Sequence, residues 1–334
     1  MHFRRPALRL TAVVSVAILT AACGIQDPAL QAEFEESTEQ SALPMPKATV
    51  EGDRTPEKTA PDVSEDPCAT NDMVVAACLE ETTALTPLGD ERAVVGAGKE
   101  LIMVARGAEP KPMAAFDSTV RQILPSPTVA ADGQLWVLLH DGSVKRVTIF
   151  GQDRFDVRDY PEAYGVEVIL LDANGEIVTL RNVSDNYFQL VSACQDPMTG
   201  LPILTGYEHG IPVVAAWGNR FIQPIGTVDA GEELGSCFVN GENLLVAGPA
   251  AGKVMHQKIA QNPQGTFELI GAPTTAVSGE FGRIQAAAVS MMGDEELFWI
   301  STSNKSLNAT AEPSPSDDRV IIVPGGSASG ASPD

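Results

Sequence analysis

Residues 132–149, DGQLWVLLHDGSVKRVTI, place a run of large apolar and β-branched residues on each side of the dipeptide Asp141-Gly142. Asp-Gly between two such runs is a strong β-hairpin signal, because a tight hairpin turn needs residues that tolerate a positive φ. The segment therefore predicts two antiparallel strands joined by a short turn.

The same pattern, a turn of Gly, Asp or Asn followed by a short β-rich run, recurs along the chain. Further copies begin at Gly98-Lys99-Glu100, Asn174-Gly175-Glu176, Asn240-Gly241-Glu242 and Gly293-Asp294-Glu295, and a weaker copy lies between Gly200 and Val214. About six hairpin units spaced on the order of 40 residues apart are typical of a β-propeller, with one blade per unit. We therefore predict an all-β fold, a six-bladed β-propeller over residues 67–324.

Closure of such a ring usually adds a strand from the N-terminal side to the last blade, which hides an exposed sheet edge. Residues Met73–Ala77 are predicted to form this strand. The alternative, two β-sandwich domains, would need a break in the middle of the pattern, and the sequence shows none. Trp136, Trp217 and Trp299 occupy strand positions and are predicted to pack between blades.

Residues 1–22 have the parts of a secretory signal peptide. Three arginines lie within the first nine residues, and the apolar core Leu10–Thr20 is too short to span a bilayer. The segment Thr20-Ala21-Ala22-Cys23-Gly24 resembles a lipobox, in which the cysteine after the cleavage site takes a diacylglycerol group. We therefore predict an exported lipoprotein with lipid on Cys23; the alternative is an ordinary signal peptide that happens to contain a cysteine.

Residues 23–66 are rich in Glu, Gln, Ser, Thr, Pro and Ala, and Phe34 is their only aromatic residue. Such a segment cannot bury enough apolar surface to offset its ordering entropy, so it is predicted to be a disordered acidic tether. Residues 325–334, GGSASGASPD, are predicted to be a flexible tail.

The chain is strongly acidic, with a formal net charge of −22. Cleavage before Cys23 removes three arginines and no acids, which leaves 19 basic and 44 acidic residues and a charge of −25. This charge excludes binding to a nucleic-acid backbone and a polybasic contact with anionic lipid. The acyl chains are therefore the expected membrane contact, and mutual repulsion favours a monomer.

Four cysteines remain besides Cys23, and an even number in an exported chain indicates two disulfides with three pairings available. The pairs Cys68–Cys78 and Cys194–Cys237 avoid crossed loops, so we expect these two. A cysteine-based metal site would need closely spaced pairs such as C-x-x-C, which the sequence lacks.

Three C-terminal segments resemble the last blade of the glucose/sorbosone dehydrogenase family. They are Gly282-Arg283-Ile284, the strand Leu297–Ile300 that runs on into Thr302-Ser303-Asn304, and Asp317-Asp318-Arg319-Val320-Ile321. The resemblance implies a six-bladed propeller with the quinone cofactor PQQ, and often calcium, on its top face. It also implies a histidine base that takes a proton from a sugar hydroxyl as hydride moves to the quinone.

The sequence departs from this family at the catalytic positions. The family's histidine precedes a hairpin turn by about ten residues, and the matching position before Asn174-Gly175 is Tyr164. A tyrosine with its ordinary pKa of about 10 is a poor base at neutral pH. The family's Gly-His-Arg-Asn segment is reduced here to Arg181-Asn182. The resemblance therefore implies the fold more than the activity.

The remaining candidate site is a weak pocket on the top face, formed by polar residues of the family-like blade together with Tyr164. Its members are Tyr164, Arg283, Asn304, Asp317, Asp318 and Arg319. The alternative is that these side chains tie the strands and turns of the last blade together. No metal site is predicted, because His140, His209 and His256 lack the spacing of a zinc pair.

These observations predict a cell-envelope lipoprotein that faces outside the cytoplasm and binds or scaffolds an unknown ligand or protein. We expect no cofactor and no quinone-dependent catalysis. The alternative is a PQQ-dependent sugar dehydrogenase with a rearranged active site, using PQQ and calcium. A purely structural envelope protein is a third interpretation.

Overall fold

The computed structural model describes residues 68–325, except residues 72, 90, 127–132, 152–153, 162–163, 173–174, 197–199, 201, 219–220, 263–266, 279–280, 293–294 and 304–316. The predicted signal peptide, Cys23, the tether and residues 326–334 lie outside the described residues. Within the described ranges, no helix has the length and hydropathy needed to cross a membrane.

The described residues form five four-stranded antiparallel sheets, here called blades 1 to 5 in chain order, and one two-stranded sheet, the half-blade. Blade 1 contains β2 (Thr82–Gly89), β3 (Arg92–Ala97), β4 (Glu100–Ala105) and β5 (Lys111–Ala115). Blade 2 contains β6 (Val120–Pro125), β7 (Gln134–Leu139), β8 (Val144–Phe150) and β9 (Arg154–Tyr160). The half-blade contains β10 (Val168–Leu171) and β11 (Ile177–Leu180).

The other three blades follow the half-blade along the chain. Blade 3 contains β12 (Phe188–Gln195), β13 (Pro202–Glu208), β14 (Ile211–Gly218) and β15 (Phe221–Thr227). Blade 4 contains β16 (Cys237–Asn240), β17 (Asn243–Gly248), β18 (Lys253–Gln261) and β19 (Phe267–Ser278). Blade 5 contains β20 (Ile284–Met292), β21 (Glu295–Thr302), β22 (Arg319–Pro324) and β1 (Val74–Ala76).

The sheets follow one another around a closed ring. The first strands of consecutive sheets contact each other in turn, from β2 to β6, β10, β12, β16 and β20, and β20 contacts β2 again. Each blade is a meander in which sequential strands pair, so its first strand lies at the centre of the ring and its last at the periphery. The prediction of an all-β propeller is confirmed.

The prediction of six full blades was wrong. Only 27 residues separate the end of β9 from the start of β12, and they hold two short strands instead of four. The two strands on either side of the predicted turn do pair antiparallel, with Val168 opposite Leu180 and Leu171 opposite Ile177. A hairpin signal marks a full blade and a half-blade alike, which is why the local pattern gave the wrong count.

The closing strand is present where the sequence predicted it. Strand β1 pairs antiparallel with β22, with Val74 opposite Ile321, and the backbone N–H of Ile322 donates to the carbonyl of Met73 at 2.8 Å. The N-terminal side of the fold thereby completes the last blade and joins the two ends of the ring.

Apolar clusters fill the spaces between neighbouring sheets. Trp299 is fully buried between blades 5 and 1, and its indole Nε1 donates to Ser290 Oγ at 2.8 Å. Trp136 packs between blade 2 and the half-blade, and Trp217 packs against the cluster shared by the half-blade and blade 3. The predicted packing of all three tryptophans between sheets is confirmed.

Both expected disulfides are confirmed. Cys68 and Cys78 are linked with a Cα–Cα distance of 5.3 Å, next to β1. Cys194 on β12 and Cys237 on β16 are linked with a Cα–Cα distance of 5.6 Å. The second disulfide therefore joins the central strands of blades 3 and 4.

Candidate functional site

One end of the propeller carries the predicted site residues. In an antiparallel meander, the segment that enters the first strand and the turn between the second and third strands lie at the same end of the sheet. We call this end of the ring the top face. Tyr164 precedes β10, Arg283 precedes β20, and Asp317-Asp318 precede β22, so all of them lie at the top face. Asn304 lies outside the described residues.

Arg283 forms an ion pair with Glu233, a residue of the segment that enters blade 4. The two side chains are 14% and 20% exposed, so the pair is largely shielded from water. An arginine held by a carboxylate in this way is neutralised, which reduces its value for binding an anionic ligand. The pair joins blades 4 and 5 across the top face.

The segment that leads into β22 is fixed by hydrogen bonds of Asp317, Asp318 and Arg319. Thr302 Oγ1 donates to the carbonyl of Asp317 at 2.6 Å, and the backbone N–H of Leu79 donates to the carbonyl of Asp318 at 3.0 Å. The side chain of Asp318 is 1% exposed, and Arg319 Nη2 donates to the carbonyl of Phe281 at 3.4 Å. These contacts connect the strands and turns of blade 5 and its closing segment.

Tyr164 does not join this group. Tyr164 is 73% exposed and lies at the half-blade, whereas Arg283 and Asp317 belong to blade 5. A small cleft near the ring axis and a larger cleft between blades 4 and 5 are lined by described residues, and neither includes any residue of the predicted pocket. The structure thus places Arg283 and the segment 317–319 in the same blade and Tyr164 at the half-blade.

A group of polar residues that the sequence does not predict lies close to the ring axis. Arg121 on β6 and Glu167, just before β10, line a cleft of about 20 Å³ together with Gln122 and residues of β12. Burial lowers the pKa of Arg121, and the negative charge of Glu167 opposes this effect. These residues are far apart in sequence and come from three different sheets, so no local motif signals them.

Glu167 also organises the chain that leaves the half-blade. Its Oε2 accepts hydrogen bonds from the backbone N–H groups of Val183 at 3.1 Å and Ser184 at 2.8 Å. Asp185 Oδ1 accepts from Tyr187 and Phe188 at 2.7 Å each, and these bonds lower the pKa of that carboxyl. The carboxylates at this part of the top face are therefore engaged by backbone groups.

His140, in the turn between β7 and β8, provides a pH-dependent contribution to stability. Partial burial and the positive charge of Arg121 hold the pKa of His140 below its usual value. The unfolded chain then binds more protons near pH 6 than the folded chain, so the free energy of unfolding should fall as the pH drops below about 6.5. We expect His140→Gln to weaken this dependence between about pH 5 and 7, measured by thermal unfolding. His209→Gln, at the corresponding turn of blade 3, is the control; equal slopes for wild type and His140→Gln would contradict the prediction.

A larger cleft of about 340 Å³ lies between blades 4 and 5, towards the end opposite the top face. Leu245, Val289 and Phe298 form its apolar wall, and Asn243 and His256 form part of its polar side. His256 Nε2 lies 2.8 Å from Asn243 Oδ1 and its Nδ1 lies 3.3 Å from Thr274 Oγ1, so both ring nitrogens are engaged.

Two solved structures show which known fold this arrangement matches. The PQQ-bound aldose sugar dehydrogenase from Streptomyces coelicolor is 13% identical, and the alignment covers 75% of this chain and 95% of that one with a TM-score of 0.53. An oxidoreductase described as a glucose dehydrogenase, from Thermus thermophilus, is 17% identical, with coverages of 75% and 98% and a TM-score of 0.51. The chain has the fold of the PQQ-type sugar dehydrogenases. The resemblance found in the sequence is thereby confirmed at the level of the fold.

No protein-family model matches the chain, and no curated protein matches its sequence. The likeness to the sugar dehydrogenases consequently concerns the fold, and the chemistry has to be judged from the residues of the site.

The positions where this chain departs from the sugar dehydrogenase pattern coincide with the half-blade. Tyr164, at the place of the catalytic histidine, lies just before β10, and Arg181-Asn182, the remnant of the second motif, directly follow β11. A general base must reach its substrate within hydrogen-bonding distance, and a side chain that is 73% exposed is poorly placed for this. Neither position of the half-blade therefore carries the histidine of the sugar dehydrogenase pattern. Within the described ranges, no three His, Cys, Asp or Glu side chains lie close enough together to hold a metal ion.

Proposed function

We propose that this chain is an exported lipoprotein, anchored to the cell membrane through Cys23, whose propeller binds a ligand or partner protein outside the cytoplasm without quinone-dependent catalysis. The observation that carries the proposal is the half-blade: it falls where the sugar dehydrogenase pattern places its catalytic residues, and it has the exposed Tyr164 at the position of the catalytic histidine.

The two disulfides support export. Disulfides persist in oxidising compartments and are rare in the reducing cytosol. Cys194–Cys237 lies between buried strands of blades 3 and 4, so it is part of the core of the folded body. A signal peptide followed by a disulfide-linked body fits a location outside the cytoplasm.

The polar residues at the top face support binding over catalysis. Arg283 forms an ion pair with Glu233. Glu167 accepts hydrogen bonds from the backbone of the segment after β11. Groups fixed in this way stabilise the surface of the propeller and are not poised for proton transfer. A rigid ring with engaged polar groups is well suited to presenting a binding surface.

A dye-reduction assay tests this proposal. We expect purified protein, supplied with PQQ and calcium, to oxidise aldoses no faster than a blank without protein, because Tyr164 stands where the sugar dehydrogenase pattern has its proton acceptor. The Streptomyces coelicolor aldose sugar dehydrogenase serves as the positive control. PQQ-dependent dye reduction above the blank would overturn the proposal and establish the alternative, a PQQ-dependent sugar dehydrogenase with a rearranged site. Loss of that activity in Tyr164→Phe would then assign the base to Tyr164.

A further inference from the structure

The backbone groups along the inner edge of the half-blade are hydrogen-bonded by side chains. The backbone N–H of Ile169 donates to Gln122 Oε1 at 3.0 Å, and Gln122 Nε2 donates to the carbonyl of Ile169 at 3.0 Å. Gln195 binds the backbone of Leu171 in the same way. The N–H of Leu171 donates to Gln195 Oε1 at 2.7 Å, and Gln195 Nε2 donates to the carbonyl of Leu171. Two glutamine side chains thus take the place of a neighbouring strand along the inner side of β10.

The outer edge of the half-blade has no comparable cover. Because the peptide groups of Ile169 and Leu171 point inwards, those of their cross-strand partners Thr179 and Ile177 point away from β10. In the described part of the chain, no hydrogen bond joins these outward N–H and C=O groups of β11 to another backbone group. In a full blade the third strand would pair here, so β11 presents an unpaired edge.

The missing outer strands also uncover one side of blade 2. Val144 on β8 and Tyr160 on β9 pack towards the half-blade, and alternate residues on both strands share that side. We call this side the arginine face; its members are Arg146, Thr148, Phe150, Arg154, Asp156 and Arg158. Three arginines against one aspartate form a local positive surface on a chain with twice as many acidic as basic residues.

The arginine face is not neutralised from within. Arg158 pairs with Asp156 at 2.7 Å, whereas Arg146 lies directly opposite Arg158 across the two strands. Like charges at opposed strand positions repel each other. Arg154 lies 6.0 Å from the centre of the Phe150 ring, and that ring is 38% exposed. An acidic group bound here would relieve the repulsion.

The other wall of the gap is apolar. Leu180 on β11 packs with the cluster between the half-blade and blade 3, which Trp217 and Ile222 border as half-buried side chains. On the blade 2 wall, the indole Nε1 of Trp136 is buried and has no acceptor within the described residues, although its ring makes an edge-to-face contact with Tyr160. The gap therefore offers a row of peptide groups between a positive wall and an apolar wall.

We propose that the half-blade is a docking site for an extended acidic segment of a partner protein, which pairs with β11 as a third strand. Side chains of a strand point alternately to opposite sides. Acidic residues of the segment would face the arginine face, and the apolar residues between them would face Trp217 and Ile222. Strand addition of this kind draws affinity from main-chain hydrogen bonds and specificity from alternate side chains. This inference rests on the proposed binding function and gives it a partner chemistry.

Synthetic hexapeptides test the site on the full chain. The probe is Glu-Val-Glu-Val-Glu-Val; the controls are Lys-Val-Lys-Val-Lys-Val and Glu-Glu-Glu-Val-Val-Val, which reverse the charge or remove the alternation. We expect the probe to bind at least about tenfold more tightly than either control, with an affinity that falls as salt is added. Equal binding of all three peptides, or none by the probe, would overturn the proposal.

Two variants separate edge pairing from charge attraction. Thr179→Pro removes the outward N–H of β11, which its pairing with β10 does not use, and proline is tolerated on an edge strand. The double variant Arg154→Gln/Arg158→Gln changes only exposed side chains. It therefore tests the site even if Thr179→Pro does not fold. We expect each to weaken probe binding at least about tenfold, and Arg106→Gln on blade 1 to leave it unchanged. Wild-type affinity in the double arginine variant would refute the site.

The outcomes also distinguish this inference from the proposed function. Absence of peptide binding, together with absence of PQQ-dependent activity, removes the docking site and leaves the binding function elsewhere on the propeller. PQQ-dependent activity removes the proposed function, whatever the peptides do.

Discussion

Replacing Cys23 by serine should move the protein from the membrane fraction to the soluble fraction of an expressing bacterium. The thiol of Cys23 is the group predicted to take the diacylglycerol, and a serine hydroxyl cannot form the thioether. Each buried methylene contributes about 0.8 kcal/mol to membrane binding, so two acyl chains anchor a protein stably where one chain holds it only marginally. With a body charge of −25 there is no electrostatic attraction to anionic lipid to replace the anchor.

The measurement combines metabolic labelling with palmitate, fractionation and the intact mass of the product. Gly24→Ser is the matched control, since it introduces serine at the next position and leaves the thiol in place; it should remain labelled and bound to the membrane. The mass identifies any Cys23→Ser product that keeps its signal peptide. A processed Cys23→Ser protein that stays in the membrane would show that the anchor is not the lipid on this cysteine.

Removal of the Cys194–Cys237 disulfide, by Cys194→Ala/Cys237→Ala, should lower the free energy of unfolding by about 4 kcal/mol. The two cysteines are separated by 43 residues, so the crosslink removes much of the freedom of the unfolded chain. Both are also buried between β12 and β16, where the loss of two sulfur atoms weakens the packing of blades 3 and 4. An effect of this size is about a thousandfold change in the unfolding equilibrium.

Denaturant unfolding measures this effect, with Cys68→Ala/Cys78→Ala as the matched control. That pair is separated by only 10 residues, and Cys68 is exposed. The control should therefore lose about 3 kcal/mol, less than the inter-blade pair. A larger loss in the control would mean that closure of the N-terminal loop matters more to the ring than the link between the central strands.

The hairpins and the closing strand could be predicted because they depend on neighbouring residues. Asp141-Gly142 joins β7 and β8, and Asn240-Gly241 joins β16 and β17, as the turn residues indicated. The outer strands carry weaker signals: β9, RFDVRDY, is polar on much of its length. The number of strands per blade was therefore not readable from the turns, and the half-blade was counted as a full one.

The site residues likewise divide into those that a local motif indicates and those that only contacts between distant segments bring together. Asp317, Asp318 and Arg319 form one short motif, and they lie together in the last blade. The partner of Arg283 is Glu233, 50 residues away, which only the packing of blade 5 against blade 4 brings into contact. Arg121, His140 and Glu167 come together because blade 2 and the half-blade are neighbours near the ring axis.

The sequence by itself determined the all-β class, the propeller, the two disulfides and the strand that closes the ring. Each follows from short-range turn chemistry, from hydrophobic alternation or from the number and spacing of cysteines. Only the tertiary structure decided that one unit is a half-blade, that the family-like arginine is held by a carboxylate, and that a positive wall and an unpaired strand edge face one gap. These features depend on which sheets become neighbours when the ring closes, and contacts between distant segments leave no periodic signal in the chain.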